Sequence, residues 1–176
     1  MHGIDLSAPM VEQLRSKPGG ETIPVTIGDM TSTRLDTTFS LVYLVFNTIE
    51  NLTTQELQVA CFANAAAHLD PGGVFLIEVE VPKLQQLPPG ERYVPFHVGE
   101  NHVGIDEYDV VTQGLVSHHV TARGKASTPF RYVWPSELDL MARLAGMTLR
   151  DRWSDWSRSP FTATSEKHVS VWQTPD

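Results

Sequence analysis

The sequence predicts an α/β fold: a doubly wound, mostly parallel sheet with an antiparallel C-terminal hairpin and an antiparallel insertion. Three observations carry this. Through residue 81, short apolar segments alternate with capped helical ones, the order of a mostly parallel sheet. Two early segments, Gly3-Ile4-Asp5 and Ile27-Gly28-Asp29, end on carboxylates, and acidic residues at the carboxyl ends of successive parallel strands are where such sheets grip a nucleotide-type ligand. From Pro82 onward the character changes, first to a proline-rich stretch and then to segments spaced like a hairpin.

Taken in order, Ser7 can cap a helix over about 8–16, with Met10, Val11 and Leu14 on one face and Lys17-Pro18-Gly19-Gly20 ending it. Residues 24–27 are a short strand. Residues 39–46 form an apolar run interrupted only by Ser40, the pattern of a parallel strand buried on both faces. Thr53-Thr54-Gln55-Glu56 has capping-box spacing and predicts a helix to about Leu69, with Leu57, Cys61, Ala65 and Leu69 inward. Asp70-Pro71-Gly72-Gly73 reads as a turn before a strand over 74–81. Residues 82–100 hold four prolines and read as a loop or lid. Segments 103–111 and 115–121 read as a hairpin, with 130–133 as a third strand. Pro135 suits the first turn of a helix ending at Gly146, with Leu138, Met141, Ala142 and Ala145 inward. Segments 149–153 and 169–172 are the last strands. The reading is one domain, 1–176, with 82–133 as a lid or acceptor-binding insertion.

The 176 residues suffice for one core. A formal net charge of −8, from 13 basic and 21 acidic residues without a Lys/Arg cluster, argues against nucleic-acid binding. No segment has the ~18 apolar residues of a membrane span, so no membrane partner is expected. One cysteine, Cys61, excludes an internal disulfide and fits a reducing cytoplasm; its helical position reads as a small buried apolar residue. The start lacks the basic region and long apolar run of an export signal, and a cytoplasmic location is expected.

Together, Gly3-Ile4-Asp5-Leu6-Ser7, Gly28-Asp29-Met30, the strand 39–46 and the Leu69-Asp70-Pro71-Gly72-Gly73 turn resemble a class I S-adenosylmethionine-dependent methyltransferase of the small-molecule kind. The segment 134–150 is similar to that family's penultimate helix–strand unit. The resemblance implies a Rossmann-like sheet and S-adenosyl-L-methionine as cofactor. It implies Asp5 on the ribose hydroxyls, Leu6 against the adenine face and Asp29 on the adenine amino group with Met30 beside the ring. Val45, Phe46 and Asn47 would line the methionine arm. The implied reaction is methyl transfer to a small-molecule acceptor chosen by the lid. The family's first strand and its Glu/Asp-x-Gly-x-Gly loop have no counterpart, so the chain is read as N-terminally incomplete, with first strand and helix missing. An open sheet position exposes strand edges, and a homo-oligomer that covers them is expected. A non-catalytic oligomerising remnant of the fold, or another nucleotide-cofactor-binding α/β enzyme, are the alternatives.

Bland roles compete with these. Asp5 and Asp29 suit turn or cap carboxylates, and Asn47 suits a cap. His97, His102, His118 and His119 lie in or near the lid, where one would act as a base on an acceptor, or all would be strand and surface histidines. His97 and His102 with Glu100 lack the spacing of a metal site, and no metal is expected. Tyr43 reads as core, Trp134, Trp153, Trp156 and Trp172 as core or lid packing, with an aromatic wall for an acceptor as the alternative for Trp156, and Arg150, Asp151 and Arg152 as exposed.

Overall fold

In the computed structural model, which describes residues 1–176, β1 (Gly3–Asp5) leads into α1 (Ala8–Arg15). Ser7 Oγ accepts from the Met10 N–H at 3.4 Å, the expected cap. Of the apolar residues read onto one face of α1, Val11 is buried and Met10 is exposed. β2 (Val25–Ile27) pairs parallel with β1, Gly3 opposite Val25 and Asp5 opposite Ile27. These two strands form a sheet of their own.

The main sheet has the order β3-β4-β10-β9, built from β3 (Phe39–Leu44), β4 (Leu69–Glu80), β9 (Thr148–Trp153) and β10 (Lys167–Gln173). β3 and β4 are parallel, while β10 runs antiparallel to both β4 and β9. The α2 helix (Gln55–Ala66) and α3 helix (Pro135–Leu144) pack on it. Their meeting point is the core, where Phe62 sets its ring edge-on to Phe75 at 5.1 Å and to Trp172 at 5.4 Å. No helix is long and apolar enough to cross a membrane.

Four expectations need correction here. First, β3 is not buried on both faces: Leu41 and Tyr43 are each 46% exposed. The reason is topological. β3 has β4 on one side and no strand on the other. A cleft of about 620 Å3 opens between β1 and β3, lined by residues such as Met1, Ile4, Leu41 and Tyr43, 15 of its 20 lining residues being hydrophobic. Tyr43 Oη reaches Met1 Sδ at 4.0 Å across it. Second, α2 stops at Ala66 and Leu69 already belongs to β4, whose register shifts opposite Phe39–Leu41. The Asp70–Gly73 segment is an irregularity inside a long strand. Gly72 there has φ +70, and a Cβ on Gly73 would meet the Asp70 carbonyl oxygen at 2.8 Å. Third, the buried stripe of α2 is Gln58, Cys61, Phe62 and Ala65, with Leu57 exposed. Gln58 replaces Leu57 inward because its amide donates to the Ile49 and Arg131 carbonyls. Fourth, Arg152 is paired rather than exposed, its guanidinium making two bonds to Asp139 at 2.7 and 3.2 Å.

The segment 93–131 is a separate four-stranded antiparallel meander of β5 (Tyr93–Val98), β6 (His102–Asp109), β7 (Gly114–Thr121) and β8 (Gly124–Arg131). β5 lies inside the stretch read as loop. Its Pro95 falls where the β5–β6 register shifts, a place a strand tolerates proline. β8 extends further back than the expected 130–133. Val94, Tyr108, Leu115 and Tyr132 make a second, smaller core beneath this sheet, with Trp134 packed against it.

Candidate functional site

The site begins at the carboxyl ends of β1 and β2. Asp5 Oδ1 accepts from the Ser7 N–H at 2.8 Å. Asp29 Oδ1 accepts from the Thr31 N–H at 2.8 Å and the Thr31 hydroxyl at 2.7 Å. Those bonds from Thr31 hold the Asp29 carboxyl below its ordinary range, so it is ionised at neutral pH. Both carboxylates therefore do the bland job with one oxygen, and in each the second oxygen takes no protein donor. The register places Asp5 beside Ile27, and the Gly28 N–H donates to the Asp5 carbonyl at 3.1 Å. Leu6 is 74% exposed beside Asp5, while Met30 packs against the main core.

Across the cleft, β3 ends in Val45-Phe46-Asn47. Phe46 and Asn47 both adopt left-handed backbone, φ 60 and 58, an arrangement that side chains other than glycine seldom hold. It is pinned from β4. The Phe46 N–H donates to Glu78 Oε2 at 3.2 Å, the Asn47 N–H to the Glu78 carbonyl, and the Asn47 side-chain oxygen accepts from the Glu80 N–H at 2.9 Å. Asn47 thus fixes the strand end rather than capping the turn that follows. Phe46 is left 90% exposed, and Trp156, also exposed, donates its indole N–H to the other oxygen of Glu78 at 3.1 Å. Strained backbone of this kind gathers at functional sites.

One face of the meander lies near the end of β4, where Glu80 and Lys83 act on Asp106 of β6. His102, Asp106 and Tyr108 of β6 share that face with His119 of β7. His102 Nε2 and His119 Nδ1 lie 2.9 Å apart with rings stacked 7° from parallel, and His97 stacks on the other side of His102. Burial and the neighbouring His97 and His119 hold the His102 imidazole below its usual range. His118 turns the opposite way and bonds Glu107 at 3.0 Å and Ser127 at 2.8 Å. Three of the four candidate histidines are thus brought together and the fourth is separated from them. Cys61 is buried in the core, which pushes its thiol up to about 12.

Sequence reasoning missed the carboxylates around this face. Glu50 sits in the 3-10 turn over Thr48–Asn51 after β3, Glu78 and Glu80 at the end of β4, and Asp106 on β6. The signal was present in Ile77-Glu78-Val79-Glu80-Val81, where two acids interrupt a valine-rich strand at its carboxyl end.

Residues 1–73 match the family model described as "Methyltransferase domain". The solved CcbJ methyltransferase from Streptomyces caelestis superposes with a TM-score of 0.84 at 32% identity, covering 99% of this chain and 74% of that one. The chain belongs to the class I S-adenosylmethionine-dependent methyltransferases. A cypemycin N-terminal methyltransferase from a Streptomyces species is 26% identical over 96% of this chain and 71% of its own length. An amino pentose methyltransferase from Micromonospora echinaspora, solved with S-adenosylmethionine bound, shares the fold with a TM-score of 0.71 at 21% identity, covering 98% of this chain and 72% of that one.

S-adenosylmethionine is the methyl donor of this methyltransferase. At the ends of β1 and β2 the Asp5 and Asp29 carboxylates, each with an oxygen free of protein donors and with Leu6 exposed beside Asp5, suit the hydroxyls and amino group of its nucleoside half. No Gly-x-Gly sequence occurs in the chain.

Proposed function

We propose that this methyltransferase binds its donor with the residues read from the sequence and serves a small organic acceptor held under the meander. Asp5 accepts from the ribose hydroxyls, Asp29 accepts from the adenine amino group, and Leu6 and Met30 wall the ring. Val45, Phe46 and Asn47 border the methionine arm. The observation that carries this is the pair of carboxylates on adjacent parallel strand ends, each with one oxygen spent on its own turn and one left over. When bound, the donor would supply an activated methyl on a cationic sulfur for displacement by the acceptor lone pair. The chain's own part is to orient the acceptor and keep water out.

Residues 82–133 are the acceptor-binding lid of a single domain; in support, the meander is a sheet separate from the main one, and its Asp106 lies near Glu50 and Glu80. His97, His102 and His119 serve as proton acceptors or acceptor contacts. Nitrogen is the favoured acceptor atom, since a relative aligned over nearly the whole chain is named a cypemycin N-terminal methyltransferase. The open edges of β1 and β3 favour a homo-oligomer. One buried thiol and the absence of disulfides suit the cytoplasm.

Calorimetric titration with S-adenosylhomocysteine tests the donor site. Saturable binding is expected, weakened about tenfold in Asp5→Asn, which keeps the acceptor for the Ser7 N–H but loses the charge. An affinity unchanged in Asp5→Asn, or no binding by the wild type, would overturn the assignment.

A further inference from the structure

Glu50 is 6% exposed, yet its carboxylate takes part in no hydrogen bond and no ion pair. Two side-chain atoms in this protein are sealed from solvent without a partner, Asn64 Oδ1 and His168 Nε2. The Glu50 oxygens are not among them, so they open onto solvent-accessible space. An unpaired buried carboxylate is costly, and packing does not need one here, because the neighbouring Ile49 and Leu52 supply the apolar contacts of the turn.

The surroundings add negative charge where a structural ion pair would add positive. Glu80 from β4 and Asp106 from β6 both act on Glu50. Tyr108 from β6 is buried beside all three acids. The cation nearby is Lys83, which pairs with Glu80 at 3.6 Å and also faces Asp106, and His119 of β7 faces Asp106 as well. Four elements thus converge on a concentration of carboxylates at the strand ends, on the face where the lid meets the sheet.

We propose that this cluster of carboxylates is an ammonium subsite: Glu50, with Glu80 and Asp106 near it, binds the protonated amine of the acceptor and takes a proton from it. The inference rests on the methyltransferase reading and names its substrate class, a cationic primary or secondary amine. The proton balance is simple. One N–H bond of the ammonium breaks as an O–H bond forms on Glu50, which leaves a neutral nitrogen with its lone pair free. Burial, with the charges of Glu80 and Asp106, pushes the Glu50 carboxyl up to about 8, near the range in which an amine and a carboxyl can share a proton. Approach of an ammonium ion to Glu50 at neutral pH therefore displaces a proton from Glu50 to solvent.

The test uses the full chain, with and without S-adenosylhomocysteine, and n-butylammonium as probe against the neutral n-butanol. Calorimetry in two buffers of different ionisation enthalpy counts the protons exchanged, and the chemical shifts of Tyr108 report the site. The expected result is saturable binding of butylammonium with proton release, no equivalent binding of butanol, and a loss of roughly tenfold to a hundredfold in Glu50→Gln. Asp106→Asn, a second variant, is expected to weaken the probe in the same direction by less. Equal response to butanol, no saturation by butylammonium, or full affinity in Glu50→Gln would each overturn the proposal. If S-adenosylhomocysteine binds while butylammonium does not, this inference fails and the donor site stands; if S-adenosylhomocysteine does not bind, the donor-site reading fails on its own.

Discussion

Glu50 and His168 are buried ionisable groups pushed in opposite directions, and each leaves a mark on stability. His168 is fully buried on β10, its Nδ1 bonded to the Ser170 hydroxyl at 2.8 Å and its Nε2 without a partner. Burial, with the Arg152 charge adding to it, lowers its pKa to about 4 from 6.5. The unfolded chain binds that proton more readily, so the contribution is complete above pH 6.5 and is lost as pH falls toward 4. Glu50 has a folded pKa of about 8 against 4.5, so the folded state holds its proton more tightly. Its penalty is absent below pH 4.5 and grows as pH rises to 8. Glu50→Gln is therefore expected to equal the wild type near pH 4.5 and to exceed it by roughly 2–4 kcal/mol at pH 8.5. Urea denaturation at the two pH values checks this, and an identical difference at both would remove Glu50 from the account. Neither residue stands out in the sequence. Glu50 follows a β-strand as many surface acids do, and His168 sits in an alternating strand where burial depends on which face meets the core.

At the scale of elements, a network of long side chains fastens the meander to the helices. Arg131 at the end of β8 is 4% exposed and donates to Gln58 at 2.5 Å, Gln113 at 3.0 Å and Glu137 at 2.7 Å. Gln113, in left-handed backbone at the β6–β7 turn, donates in its turn to the second Glu137 oxygen at 2.8 Å, and Gln55 donates to the first at 2.7 Å. Burial alone would raise the Glu137 carboxyl, but the bonds from Arg131, Gln113 and Gln55 hold it below its ordinary value. Removing one partner strands the other charge, so Glu137→Ala is expected to cost about 3 kcal/mol. Arg131→Met combined with Glu137→Leu should recover most of that, as chemical denaturation would show; a double variant as weak as the single would mean that the network itself holds the lid. Helices and their caps were legible because Ser7, Thr54 and Pro135 act locally. The strand β5 and this network were not, because Arg131, Gln58 and Gln113 acquire meaning only when three distant segments meet. The apolar pattern of residues 39–46 predicted a strand, and it is one; the expected double burial failed because that depends on a neighbour the pattern cannot guarantee.

For the whole molecule, the order of parallel pairs β1-β2 and β3-β4 and the antiparallel β10 and β9 follow the family's sheet, with no strand of this chain between β1 and β3. That open position has a physical consequence. β1 and β3 each present unpaired backbone donors and acceptors on the facing edge, and the cleft between them is lined mainly by apolar side chains. Edges of this kind associate unless lysine or proline blocks them, and neither Gly3-Ile4-Asp5 nor Phe39-Ser40-Leu41-Val42-Tyr43-Leu44 carries one; the single charge is Asp5 at the tip of β1. Light scattering on the 176-residue chain is accordingly expected to give a dimer or larger species. Leu41→Lys, which places a charge on an exposed strand position, should shift the population toward monomer while leaving the far-ultraviolet spectrum unchanged. A wild type that stays monodisperse and monomeric at high concentration would show that the cleft closes on itself instead, by β1 moving onto β3 until the two parallel edges pair directly.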